Sequence, residues 1–496
     1  MLDDSISPWD ALPHPAFIAL SLALLAIGVY VYGTYPFWVL RRLNIPGAPP
    51  RPFSGNLGDI QKYGGQHMAL LEYRKRYGKV FSFCTGKNVE VIVADPDMLK
   101  QILVKEFSSF RNRHFAFPPK GLIRLGLFAS KDEDWKRVRS TLTPTFTSGK
   151  MKTMIPLVSK SCDTLIQKLG EVADTEHSIN MLSWYSQMTL EIILSCAFGV
   201  DSNVQTNQEN EFLQKARSIF HPPAFLKWLL ALPFTQFLRY FAGLFRTQID
   251  FFMDLARGII QARLAHQGKG RKDLVELMLN AHNEENGGKL TADEVIAQSA
   301  TFLLAGHETA GNALTFTTYH LVVNPEIQER LREEILAAMR REPDKPLYEL
   351  IFGLEYLEAV VNESLRITPP AHVMTRECTK ECTINGITIP AGMIVKYPIY
   401  TLHHDPEAWE EPEKFNPERF LTRDDSRSPF QFLPFGAGPR ICIGARFAMM
   451  EVKAALVKIL SKYRLVRAPD TQVPLKVVSG FTLTCKDGLH VRVQSL

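Results

Sequence analysis

Cys442 stands in Phe435-Gly436-Ala437-Gly438-Pro439-Arg440-Ile441-Cys442-Ile443-Gly444, a glycine-rich stretch that runs straight into an amphipathic helical pattern from Ala445 to about Lys462. A cysteine placed this way can act as an anionic metal ligand. Glycines let the backbone curl, which brings amide N–H groups close to sulfur. The N-terminus of the following helix adds partial positive charge and lowers a thiol pKa. A thiolate on iron pushes electron density onto the metal and favours O–O cleavage. The bland alternative is a buried structural cysteine, the usual fate of an isolated one. The fixed spacing Phe-x-x-Gly-x-Arg-x-Cys-x-Gly argues against it.

A second constellation lies in Ala305-Gly306-His307-Glu308-Thr309. Gly306 weakens the helix and lets another group approach its backbone. A hydroxyl beside a carboxylate can relay protons to dioxygen, which makes Thr309 and Glu308 catalytic candidates. A helical threonine taken alone more often bonds back to its own turn. His307 is read as structural, because Cys442 already supplies a ligand. Glu363 and Arg366 form an i,i+3 pair ahead of Pro369-Pro370, a spacing that on a surface contributes little. Arg419 follows in Pro417-Glu418-Arg419-Phe420, upstream of the cysteine loop. Asn362-Glu363-Ser364 also fits a glycosylation acceptor and is set aside on a buried helix.

These segments together resemble the cytochrome P-450 family, and the resemblance covers essentially the whole chain. The Cys442 loop looks like the family's haem-ligand loop, and Glu308–Thr309 resembles its acid–alcohol pair. Glu363, Arg366 and Arg419 look like its structural Glu-x-x-Arg plus Arg triad. Trp135-Lys136-Arg137-Val138-Arg139 is similar to its Trp-x-x-x-Arg helix. The resemblance implies haem b with Cys442 as axial ligand to the iron. It implies a cofactor-binding set of Arg113, Trp135, Arg139, Arg376, Phe435, Arg440 and Cys442, in which indole and guanidinium N–H groups suit haem propionates. Position relative to these motifs puts Leu304, Ala305, His372, Val373, Phe481 and Leu483 on a substrate pocket wall.

Within the family, Trp135 to Lys150 and Phe432 to Gly444 are most similar to the drug- and steroid-oxidising family 3 enzymes. The implied reaction inserts one oxygen atom of O2 into a lipophilic small molecule such as a steroid, xenobiotic or fatty-acid-like compound. No Gly-x-Gly-x-x-Gly or Walker loop occurs, so electrons must come from another protein. The resemblance names NADPH–cytochrome P-450 reductase, with cytochrome b5 as a further partner and NADPH as the indirect electron source. Lys131, Lys136, Arg137 and Arg446 could offer a basic docking face to an acidic reductase. Asp470 to Leu475 is similar to thromboxane synthase, which opens the alternative of an endoperoxide isomerase needing no reductase. A non-catalytic haem or lipid carrier is a third reading, against which the Glu308–Thr309 pair speaks.

The elements that must position these residues read as mostly helical. A capping box at Thr291-Ala292-Asp293-Glu294 opens a run that lasts to Asn324-Pro325, roughly 48 Å of helix. Its all-round apolar character predicts burial. Cys382 to Ile389 around Asn385-Gly386 reads as a β-hairpin, and Thr482 to Val493 around Asp487-Gly488 as another. The expected class is mostly α (α+β), a helical domain with small sheets. Ala16 to Leu40 carries no charge and can cross a bilayer core of about 30 Å. Acidic residues precede it and Arg41, Arg42 and Arg51 follow it, which predicts a single-pass anchor with the body in the cytosol, on the endoplasmic reticulum by the family resemblance. The expected organisation is a luminal segment 1–15, an anchor 16–40, a Pro-rich linker 41–52 and a haem-thiolate domain 53–496. Phe220 to Phe245 is apolar enough to suggest a second contact with membrane lipid. Seven scattered cysteines without a CxxC pair argue against a disulfide framework, and a net charge of +5 without basic–aromatic blocks argues against nucleic acid.

Overall fold

The computed structural model describes residues 15–115, 119, 121–207, 211–212, 214–215, 243–265, 273–282, 289–422 and 426–496. The helices that matter for the site are α1 (Pro15–Thr34), α2 (Gln66–Tyr77), α3 (Asp132–Leu142), α4 (Ser148–Val172), α5 (Met181–Ile193), α6 (Gly243–Ala265), α7 (Ala292–Val323), α8 (Glu355–Ile367) and α9 (Ala445–Leu460). All but three of the residues Phe220 to Phe245 lie outside the described residues. Only Gly243 to Phe245 are placed, in the first turn of α6.

Helix α7 runs through the middle of the molecule and packs most extensively on α5. It begins where its sequence says it should. The Thr291 hydroxyl accepts from the Glu294 amide at 3.2 Å, and the Glu294 carboxylate accepts from the Thr291 amide at 2.8 Å. Glu294 also pairs with Arg137 of α3, which ties the start of α7 to that helix. Asn324 before Pro325 ends it. The hydroxyls of Ser299, Thr301, Thr315 and Thr317 donate to carbonyls one turn back, so these buried polar groups are satisfied inside the helix. One large apolar core forms around α4, α5, α7 and α9.

A second core lies on a four-stranded sheet made of β1 (Val80–Thr85), β2 (Asn88–Val93), β7 (Ile394–Tyr397) and β4 (Met374–Glu377), in the order β1-β2-β7-β4. The β2–β7 pair is parallel and the other two are antiparallel. Between β4 and β7 sits the hairpin of β5 (Cys382–Ile384) and β6 (Ile387–Ile389), turned by Asn385 and Gly386 at φ 49° and 80°. A smaller sheet has the order β3 (Ile179–Asn180), β11 (His490–Ser495), β8 (Tyr463–Arg467).

The expected hairpin from Thr482 to Val493 does not form. Its first half, β10 (Leu483–Cys485), pairs with β9 (Val477–Ser479), and its second half, β11, pairs with β8 and β3. Leu483 and Cys485 are drawn into an apolar contact with Phe316 of α7, while Gly488, at φ +80°, is pressed against the Asn180 side chain. The turn therefore carries the chain from one sheet to another.

The apolar N-terminal helix α1 stops at Thr34, and Pro36 sits in the short 3-10 turn that follows, Tyr35–Val39. Together Pro15–Val39 is long and apolar enough to cross a membrane. The segment expected to be a linker packs on the body. Leu43 and Ile45 are buried with Phe37 against the four-stranded sheet, and Gly47 bridges to Ser82.

Candidate active site

The loop before α9 is shaped by two glycines in the left-handed region. Gly436 and Gly438 adopt φ +73° and +72°, and a Cβ on Gly438 would stand 2.0 Å from the Leu103 carbonyl oxygen. The Cys442 amide donates to the Phe435 carbonyl at 2.9 Å, closing the loop on itself. Cys442 is exposed, while Phe435 is half-buried behind it. Desolvation by the surrounding protein nevertheless raises the thiol above its ordinary pKa. The lowering expected from the helix start is present only as opposition. The Gly444 amide, Arg113 and Arg139 pull the thiol down without overcoming desolvation.

Three guanidiniums converge beside this loop. Arg440 is buried, donates to the Ser130 carbonyl at 2.9 Å and to Asn112 Oδ1 at 3.3 Å, and lies 4.3 Å from the centre of the Trp135 ring. Arg113 donates to the carbonyls of Phe128 and Arg440. Arg376 is buried on β4 beneath the Tyr397 ring and donates to the Thr375 carbonyl. No carboxylate pairs with any of the three among the described residues. The Nε atoms of all three, and Nη1 of Arg440, have no hydrogen-bond partner among the described residues. Burial, then mutual repulsion, lowers Arg440 to about 8 and Arg113 to about 10. Arg139 is half-buried close to Cys442 and is lowered by burial.

A cluster of cationic donors that no carboxylate pairs among the described residues fits a group carrying carboxylates. Haem supplies two, next to an iron that Cys442 could hold. The residues present therefore fit the cofactor.

Sequence reasoning missed Asn112. Its side chain accepts from Arg440 and from the Asp132 amide, donates to Asp132, and its backbone bridges to Glu377. It sits between Arg111 and Arg113, where a lone Asn carries no distinguishing pattern.

On α7 the two catalytic candidates point to different partners. The Thr309 hydroxyl donates to the Ala305 carbonyl at 2.6 Å. The buried Glu308 carboxyl is bonded by Thr482 and Asn312, and desolvation raises it to about 7. His307 is buried, its carbonyl accepting from the Thr189 hydroxyl of α5 at 3.0 Å.

The expected pocket residues divide. Ala305 is exposed midway along a helix that is mostly buried, and Leu304 is half-buried beside it. Phe481 is exposed, its ring 6.0 Å from that of Phe128. Leu483 is fully buried against Phe316 and presents no surface to a ligand. Val373 packs toward Tyr73, Phe81 and Phe83. His372 is buried against His67. No local pattern assigns these three a facing, since strand and loop residues show their face only once paired.

The Glu363–Arg366 pair is fully buried and bidentate, at 2.7 and 2.8 Å, with Arg419 Nε 3.3 Å from Glu363. Arg366 also donates to the His403 carbonyl at 2.8 Å, so the triad joins α8 to the segment ahead of the cysteine loop. Three of the four cations of the expected basic docking face have acidic partners yet keep much of their side chains exposed: Lys131 pairs with Glu377, Lys136 with Glu133 and Arg137 with Glu294, while Arg446 bonds the Ser148 hydroxyl.

The cytochrome P450 family model matches residues 45–490. Cytochrome P450 3A29 of Sus scrofa is 37% identical over 475 residues, covering 93% of this chain and 92% of the relative. Cytochrome P450 3A28 of Bos taurus is 36% identical over 477 residues, covering 93% and 91%. Cytochrome P450 3A7 of Homo sapiens is 36% identical over 507 residues, covering 98% of each. With the glycine-shaped cysteine loop and the unpaired guanidiniums beside it, these matches show that the chain belongs to the cytochrome P450 family, as an oxidoreductase of the monooxygenase class.

Proposed function

We propose that this protein is a membrane-anchored haem-thiolate monooxygenase that oxidises lipophilic small molecules, steroids and xenobiotics among them, with electrons from NADPH delivered by a reductase. The observation that carries it is the set of three guanidiniums, Arg376 and Arg440 buried and Arg113 half-buried, that converge on the loop of Cys442 with no paired carboxylate among the described residues. When bound, haem would supply the activation of O2 and the transfer of one oxygen atom to substrate.

The chain's own residues do the rest. Cys442 would hold iron through its deprotonated sulfur. Arg113, Arg376 and Arg440 would bind the propionates, and Trp135 and Arg139 would complete that side. The exposed surface of Ala305, with Leu304 and Phe481, contacts an apolar substrate and excludes water. Glu308, raised to about 7, holds a transferable proton at its carboxyl near neutral pH. Thr309, bonded to the Ala305 carbonyl, must turn its hydroxyl to take part in that transfer. The cofactor, the reductase and the cytosolic, endoplasmic-reticulum placement of the body all belong to this reading.

The test is reconstitution of the full chain with haem, NADPH–cytochrome P-450 reductase and a panel of steroids, fatty acids and drug-like probes. Reductase-dependent, NADPH-consuming oxygenation is the expected result. Turnover of an endoperoxide without NADPH would identify an isomerase instead, and tight binding with no turnover a carrier.

A further inference from the structure

We propose that the apolar helix α1 is latched to the catalytic body through Gly33 and Phe53, and that the aromatic collar around this latch seats in the phospholipid headgroup layer, holding the body at one tilt. This rests on reading Pro15–Val39 as a membrane span.

Helix α1 is exposed along its length except at Gly33. Gly33 is buried because the Phe53 ring lies on it, so close that an added Cβ would stand 2.7 Å from Phe53 Cε2. Gly28 in the same helix would meet nothing within 4 Å. The Phe53 amide donates to the Gly33 carbonyl at 3.1 Å. Phe53 itself is held at φ +60°, a conformation that a bulky residue keeps only when its surroundings enforce it. From the other side, Lys87 places its ammonium 3.4 Å from the centre of the Tyr32 ring and 5.2 Å from that of Tyr35. Lys87 sits in the tight turn between β1 and β2, so the contact ties the helix to the four-stranded sheet. Past the helix, Phe37, Leu43 and Ile45 are buried, which leaves no free tether.

The collar matches the depth at which the helix would leave a bilayer. Twenty residues of α1 span about 30 Å, one hydrocarbon core. Tyr30, Tyr32, Tyr35 and Trp38 cluster at that end and are all more than half exposed. Tyrosine and tryptophan favour headgroup depth, where ring and polar tip are both satisfied. Arg42, exposed just beyond, offers a cation to lipid phosphate. A helix that ends at headgroup depth and is bonded to the sheet there fixes which face of the body lies on the membrane.

The haem-loaded full chain would be placed in oriented phosphatidylcholine bilayers and the tilt of the haem plane read by polarised absorbance. Gly33→Leu, Phe53→Ala and Lys87→Ala should each shift the mean tilt or broaden its distribution, while Gly28→Leu should leave it as in the parent. An unchanged thiolate-type haem spectrum in each variant reports an intact body. If a core-packing variant loses that spectrum, Lys87→Ala, a surface change, still decides the matter. Equal tilt and width in every intact variant, with the protein resisting carbonate extraction, would overturn the latch alone. A parent protein that carbonate extracts would overturn the membrane span and the collar with it.

Discussion

At the scale of single residues, two side chains carry the sharpest expectations. Burial raises Glu308 to about 7, so its proton is held below that pH and lost as pH rises through it. If Glu308 donates that proton during turnover, activity should fall as pH passes upward through about 7, and Glu308→Gln should flatten the profile while lowering turnover. The pH dependence of product formation in parent and variant checks this. The same shift has a sign for stability. The folded form binds a proton that the unfolded chain has already released, so this group's contribution weakens as pH rises from the ordinary carboxylate range toward 7. Arg440→Leu should weaken haem retention by on the order of ten- to a hundredfold, since a charge-assisted bond contributes about 1.5–3 kcal/mol. Transfer of haem to an acceptor globin measures it. Cys442 and Arg440 were legible because a loop needs specific residues at specific spacings. Asn112 was not, because its importance lies in contacts with chain positions far from it in sequence. The buried facing of Leu483 was hidden for a related reason: three residues of strand do not declare which sheet they join.

At the scale of elements, the buried triad is the part most exposed to failure. Removing one partner of a buried ion pair leaves the other charge without compensation, at a cost of about 3–5 kcal/mol. Glu363→Leu should lower stability by that order, because Arg366 and Arg419 both depend on it. The urea midpoint of the haem-loaded protein reads this directly, and a midpoint unchanged from the parent would show the triad to be dispensable. Helix α7 was legible from end to end, since its capping box and terminal proline are local signals. The Cys382–Ile389 hairpin was legible for the same reason, from Asn385-Gly386. The turn at Asp487-Gly488 has similar chemistry but joins two sheets, because the apolar face of Phe316 competes for Leu483 and Cys485. Turn residues state that the chain bends. The core decides what the flanking strands meet.

At the scale of the whole molecule, the catalytic body begins earlier than composition suggests. A chain truncated before Tyr35 should be released from membranes and still bind haem. One truncated before Gly47 loses the burial of Phe37, Leu43 and Ile45, each contributing about 1.5–3 kcal/mol, and should melt at a lower temperature. Sedimentation after carbonate treatment and thermal melts of the two truncations check this. The prolines from 46 to 52 suggest a stiff connector, but composition could not show that the flanking apolar side chains serve the sheet. The crowding of Arg113, Arg376 and Arg440 also bears on the protein's life in a cell. Until carboxylates arrive between them, these side chains repel one another in a space too dry to screen them. Newly made chains should then settle more firmly once haem is supplied, so that limiting haem should lower how much of this protein accumulates.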